Sequence, residues 1–114
     1  MPRKEYAESG YVAMYLLVYF DLPVKTKKDR KEYALFRKAL LKDGFTMLQY
    51  SVYSRYCADN RVVERHKKRI REALPPKGDV KTMAVTSKIY EKMENFVGRK
   101  EVEGAKAPDV CTFY

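Results

Sequence analysis

Apolar and polar positions alternate along the chain with two different periods, and the switches between them mark the elements. Met14 to Asp21 (MYLLVYFD) is a run of seven apolar or aromatic residues that ends on a carboxylate, with Pro23 close behind. Its composition and length predict a buried strand. Side chains on a strand alternate, so Tyr15, Leu17, Tyr19 and Asp21 share one face, while Met14, Leu16, Val18 and Phe20 share the other. After a short loop, Thr26 and Asp29 form the T-x-x-D pattern of a helix start. Tyr33, Phe36 and Leu40 then recur at three- and four-residue steps, predicting a helix to about Asp43 with Gly44 as its glycine cap. Phe45 to Cys57 lacks helical spacing and exceeds one average strand, so it predicts two strands with a break near Gln49–Ser51.

A second helix is expected after Ala58-Asp59-Asn60, which offers an N-cap. Val63, His66, Ile70 and Leu74 make its inner stripe, and Pro75-Pro76-Lys77-Gly78 ends it. His66 on that stripe is read as a packed or hydrogen-bonded core residue rather than a ligand. Asp79 to Thr86 alternates Val80, Thr82 and Ala84 against Lys81, Met83 and Val85, a fourth strand. Ser87 to Glu94 fits a short helical turn, and Phe96-Val97-Gly98 a fifth short strand. The order strand, helix, strand, strand, helix, strand predicts an α+β domain in the split β-α-β arrangement, both helices on one face of a four-stranded antiparallel sheet. Residues 1–13 read as an N-terminal extension, 14–99 as the domain and 100–114 as a tail. The other sheet face carries tyrosines and aliphatics, and such a face predicts a two-fold homodimer.

Charge adds a partner to this picture. The 114 residues carry 24 lysines and arginines against 15 acids, a formal +9. Lys25 to Asp43 holds eight basic and three acidic residues, and Arg61 to Lys81 the same numbers, so nearly all the excess sits on the two helices and their flanks. Two concentrated cationic segments point to a polyanion, with nucleic acid the leading choice, against the plain reading that they are solvated helix faces. No apolar run approaches the length of a membrane span and no secretory pattern is visible, so a cytoplasmic protein with free thiols at Cys57 and Cys111 is expected. With His66 the only histidine, Ser-His-Asp chemistry and zinc sites lack parts.

Asp21 is the residue that invites chemistry. It either starts the turn at Leu22-Pro23 or meets a cation at the strand end. Two copies of Asp21 across a dimer axis would give one magnesium ion a pair of carboxylates, suited to phosphodiester hydrolysis. No second acid lies on the same strand, so the expected site is shared between chains.

Phe20-Asp21, FRKALLKDGF (Phe36 to Phe45), LQYSVYSR (Leu48 to Arg55) and PPKGDV (Pro75 to Val80) together resemble the CRISPR-associated Cas two family, in the form found beside type II systems. The resemblance implies a ferredoxin-like homodimer with an additional short C-terminal strand, placed here at Phe96 to Val102, that extends onto the partner's sheet. It implies a role in CRISPR adaptation, or spacer acquisition, in which the dimer bridges the CRISPR-associated integrase (Cas one) on duplex DNA. It also implies a magnesium- or manganese-dependent endonuclease on RNA or DNA, with Asp21 as catalytic residue and metal ligand and with Ser51 at the family's small polar position. The nucleic-acid contacts expected are Lys25, Lys27, Lys28, Arg30, Arg37, Arg55, Arg65, Lys68 and Arg69. A non-catalytic DNA-binding scaffold is the alternative. A single-strand RNA-recognition domain of similar topology is disfavoured, because Ser51 to Cys57 lacks the glycines of its aromatic motif. Many family members carry tyrosine where this chain has Phe20.

Overall fold

A computed structural model describes residues 12–98. The elements are β1 (Met14–Asp21), α1 (Lys27–Lys42), β2 (Thr46–Gln49), β3 (Val52–Cys57), α2 (Asn60–Glu72), β4 (Asp79–Thr86) and the single turn α3 (Ser87–Tyr90). The sheet runs in the order β2-β3-β1-β4 and every pairing is antiparallel. The expected α+β, ferredoxin-like architecture is therefore present, with β1 at the centre.

Local chemistry accounts for the boundaries. The Thr26 side chain accepts from the Asp29 N–H at 2.9 Å, and the Asp29 carboxylate accepts from the Thr26 N–H at 3.2 Å, a reciprocal box that starts α1. Asp59 caps α2 by accepting from the Arg61 and Val62 N–H groups. At the break between β2 and β3, Ser51 adopts a φ of 66°, and its carbonyl accepts from Phe20 N–H at 3.1 Å. The β1–β3 ladder thus continues one rung past Val52. Tyr33 and Ser51 hydroxyls meet at 3.2 Å and tie that turn to α1.

The core lies between sheet and helices. Leu16 and Val18 from β1, Phe36 and Leu40 from α1, Tyr53 and Cys57 from β3, and Val63 and Ile70 from α2 are all buried. Each full burial of such a side chain contributes roughly 1.5–3 kcal/mol before conformational entropy is counted. Phe20 joins them at the end of β1, its ring 5.1 Å from Phe36 and 5.8 Å from Tyr53. His66 is buried as well, with Nδ1 2.6 Å from Asp43 Oδ2.

Two expectations change. Leu74, placed on the inner stripe of α2, lies beyond the helix end and is about half exposed, because α2 stops at Glu72 before the two prolines. Residues 96–98 form no strand: Phe96 is 86% exposed, with no sheet edge against it in a single chain. The remainder of the proposed C-terminal strand, most of the N-terminal extension and the tail with Cys111 lie outside the described residues.

Candidate active site

The geometry begins with the alternation of β1. Leu16, Val18 and Phe20 enter the core, so Tyr15, Leu17, Tyr19 and Asp21 occupy the face that α1 and α2 leave uncovered. Asp21 closes that row and is exposed, and among the described residues no hydrogen bond or ion pair engages its carboxyl. On one side stands the tight turn at Ser51, fixed by the Phe20–Ser51 bond. On the other, the β1–β4 register pairs Asp21 with Asp79 directly. The Asp79 Oδ2 accepts from Lys81 Nζ at 2.7 Å. That hydrogen bond, and then the carboxylate's charge, raise the Lys81 pKa above its ordinary value.

Asp79 is the acidic neighbour that a reading of β1 alone did not show. The expectation of a carboxylate pair shared between chains considered β1 alone, and the β1–β4 register also sets an acid opposite Asp21 within the chain. The signal was present: β1 and β4 have eight residues each, so antiparallel pairing end to end sets the last residue of one against the first of the other. Lys81 sits one same-face step further along, opposite Tyr19.

The donor set suits a hard cation. Two exposed carboxylates at a solvent-facing strand end leave room for water, which fits magnesium or manganese bound through one or two carboxylates. Among the described residues no group of three or more His, Cys, Asp or Glu side chains gathers as zinc would want. Phe20 has its own explanation. Strand alternation turns it away from Asp21 and into the aromatic cluster of Tyr33, Phe36 and Tyr53. A tyrosine there would send its hydroxyl toward the helices, so this departure from the family pattern falls on packing rather than on the Asp21 face.

The basic residues divide into two groups. Three guanidinium groups are occupied at home. Arg30 Nη1 donates to the Val24 and Lys25 carbonyls at 3.1 Å each. Arg55 donates through Nε to the Asp43 carbonyl at 2.8 Å and through Nη1 to the Tyr56 carbonyl at 2.7 Å. Arg69 Nη1 meets Asp43 Oδ1 at 2.6 Å. Burial pushes the Asp43 carboxyl up, but hydrogen bonds from His66 and Arg69 outweigh it and hold the pKa below the usual value. Lys25, Lys27, Lys28, Arg37, Arg65 and Lys68 are exposed on the first loop, α1 and α2, and so are Arg30 and Arg69 despite their bonds. Lys27, Lys28, Arg30 and Lys31 line one shallow concavity on α1. Arg37 also reaches Tyr53, where its charge and hydrogen bond oppose the rise that burial gives that phenol.

The uncovered face is apolar at its other end. Tyr90 of α3 stacks on Tyr15 with centroids 3.7 Å apart, and its hydroxyl meets Ser54 Oγ at 2.9 Å. Tyr56, Met83, Ile89 and Met93 remain about half exposed around it. None of the helices among the described residues is long and apolar enough to cross a membrane.

Known proteins share this arrangement of sequence. The family model described as CRISPR associated protein Cas2 matches residues 14–93. A CRISPR-associated endoribonuclease Cas2 of Flavobacterium psychrophilum is 48% identical over 96 residues, covering 84% of each chain. The protein of the same name from Parvibaculum lavamentivorans is 44% identical over 95 residues, 83% of this chain and 94% of its own length. That of Ligilactobacillus salivarius is 47% identical over 87 residues, 76% of this chain and 86% of its own. With that identity over most of its length, and with Asp21 closing the central strand, this chain belongs to the CRISPR associated protein Cas2 family.

Proposed function

We propose that this chain is a metal-dependent endoribonuclease of a CRISPR system, acting as a homodimer, with Asp21 as the carboxylate that holds Mg2+ or Mn2+. One observation carries the reading: an exposed, unengaged carboxylate ends the central strand on the face that α1 and α2 leave uncovered, in a chain whose relatives are named endoribonucleases. Asp21 binds and orients. The strand end fixes its backbone, and the open side admits a phosphodiester with its water. A divalent cation held there supplies charge neutralisation for the scissile phosphate and an acidified water. The half-exposed apolar residues of the uncovered face supply the surface for pairing two chains.

The test is Asp21→Asn in preparations matched for dimer content and free of contaminating nuclease. Metal-dependent cleavage of RNA should be lost. Cleavage at the original rate would falsify the catalytic assignment.

A second reading rests on the exposed cations. Lys27, Lys28, Arg37, Arg65 and Lys68 lie on α1 and α2, across the sheet from Asp21, where they suit a phosphate backbone in a way that a hydrolytic centre does not require. On this reading the dimer is a duplex-DNA-binding subunit of spacer acquisition beside the integrase, in the cytoplasm, and Asp21 is dispensable to it. The two readings use different faces and are compatible.

A further inference from the structure

We infer that Tyr50 and Arg37 form a platform for one unpaired nucleotide, the base stacked on the phenol ring and a phosphate on the guanidinium, so that RNA approaching Asp21 must be single-stranded there. This rests on the reading of the chain as an endoribonuclease and adds the residues that select its substrate.

Three observations converge. First, Tyr50 is offered to solvent. It sits at the turn between β2 and β3 and is 60% exposed. Among the described residues its ring meets one other ring, that of Tyr33, at a centroid distance of 6.4 Å and a tilt of 32°. Much of the ring is thus open to a second flat group.

Second, the ring stands on a fixed backbone. Ser51, the next residue, has a φ of 66°, a left-handed conformation that glycine adopts more readily than serine. Its carbonyl accepts from Phe20 N–H at 3.1 Å, and its hydroxyl meets that of Tyr33 at 3.2 Å. The turn is pinned to β1 on one side and to α1 on the other. A ring carried on such a support loses little freedom when a base settles on it.

Third, a cation stands beside it. Tyr33 and Arg37 are four residues apart on α1, hence neighbours on one helix face. Arg37 is exposed and donates to the hydroxyl of buried Tyr53, which the Tyr33 and Tyr50 phenols also approach. One donated bond leaves most of the guanidinium's N–H groups for a phosphate.

Selectivity follows from stacking. In a duplex both faces of a base are covered by its neighbours, so only an unpaired base can lie on a side chain. The Phe20–Ser51 bond sets this turn beside the end of β1, so a strand held on Tyr50 passes Asp21.

The experiment titrates the full chain into an end-labelled single-stranded RNA, the matching RNA duplex, and a ribose-phosphate strand of equal length without bases. Fluorescence anisotropy reads binding with metal absent, and cleavage is followed separately with Mg2+. Wild type, Tyr50→Ala, Tyr50→Phe, Arg37→Gln and Asp21→Asn are compared after circular dichroism has confirmed equal folding. Tyr50→Ala should weaken single-strand binding by roughly 5- to 150-fold, the range for one stacked base. It should leave the duplex, the base-free strand and the salt slope unchanged, and Tyr50→Phe should keep wild-type affinity. Arg37→Gln should reduce the salt slope on the single strand by about 0.7, one phosphate contact. An equal loss on the base-free strand, or a fall in dimer content by sedimentation in Tyr50→Ala, would overturn the platform. Unchanged single-strand affinity in Tyr50→Ala beside lost cleavage in Asp21→Asn would overturn it too and leave the Asp21 reading standing. Undiminished cleavage in Asp21→Asn beside lost affinity in Tyr50→Ala would do the reverse.

Discussion

Replacing His66 by alanine tests whether the fold is fastened where α1 ends and α2 passes over it. The imidazole is 2% exposed, and its Nδ1 lies 2.6 Å from Asp43 Oδ2. A carboxylate can only accept, so Nδ1 carries the proton of that bond. The ring also meets Phe45 edge to face, with centroids 6.2 Å apart. Loss of a hydrogen bond to a charged partner costs about 1.5–3 kcal/mol, and the ring contact adds about 0.5–1.5 kcal/mol. Asp43 keeps Arg69 on its other oxygen at 2.6 Å, so the larger penalty for stranding a buried charge does not apply in full. The expected loss is about 2–4 kcal/mol, a large share of a small domain's stability. In urea, with a slope of about 1–3 kcal/mol per molar, the midpoint should fall by about 0.7–4 M. The titration is run at one protein concentration, since pairing of chains would shift the midpoint by mass action. A double-mutant cycle with Asp43→Ala should return a coupling of about 1 kcal/mol or more. A midpoint shift within error, or zero coupling, would refute the claim that this contact joins the two helices.

Three further outcomes follow from the same geometry. Gly78→Ala places a Cβ against Leu22 and the Asp21 carbonyl at a positive φ, so melting should show a loss of about 1–3 kcal/mol, and an unchanged melting temperature would contradict the contact. The Asp29, Asp43 and Asp59 carboxyls are held below their ordinary pKa of 3.8, so their contribution is complete above that value and fades as pH falls through the lowered folded ones. Thermal stability should therefore drop below about pH 4, and Asp59→Asn, which still caps, should flatten that decline. Charge reversal at Lys27, Arg37, Arg65 or Lys68 should weaken duplex binding and reduce the salt slope by about one per lost phosphate contact. Reversal at Arg30 or Arg69 should instead show in stability, since both are engaged within the chain.

Much of this protein was legible one strand or helix at a time. The faces of β1, the box at Thr26 and Asp29, the glycine after α1 and the break before Val52 all follow from local periodicity and turn chemistry. His66 as a core residue was legible too, but its partner was not. Asp43 sits 23 positions away, and only the docking of α2 beside the end of α1 brings them together. Asp79 escaped for the same reason, since register between strands distant in sequence is a tertiary property. Charge totals are silent in a different way. Arg30, Arg55 and Arg69 count toward a cationic surface, yet each guanidinium is held by carbonyls or a carboxylate of its own chain. Composition does not distinguish a guanidinium engaged within the chain from one with all its donors open to a ligand.

The separation between Phe20 and Asp21 has an evolutionary consequence. Adjacent positions answer to different demands, one to the interior and the next to whatever approaches from outside. A lineage could trade the terminal aspartate for almost any polar residue and keep an intact domain, its cationic helices unchanged. The hydrolysis proposed for Asp21 could lapse in such descendants without any trace in their folding, while a slip of one residue along β1 would ruin both at once.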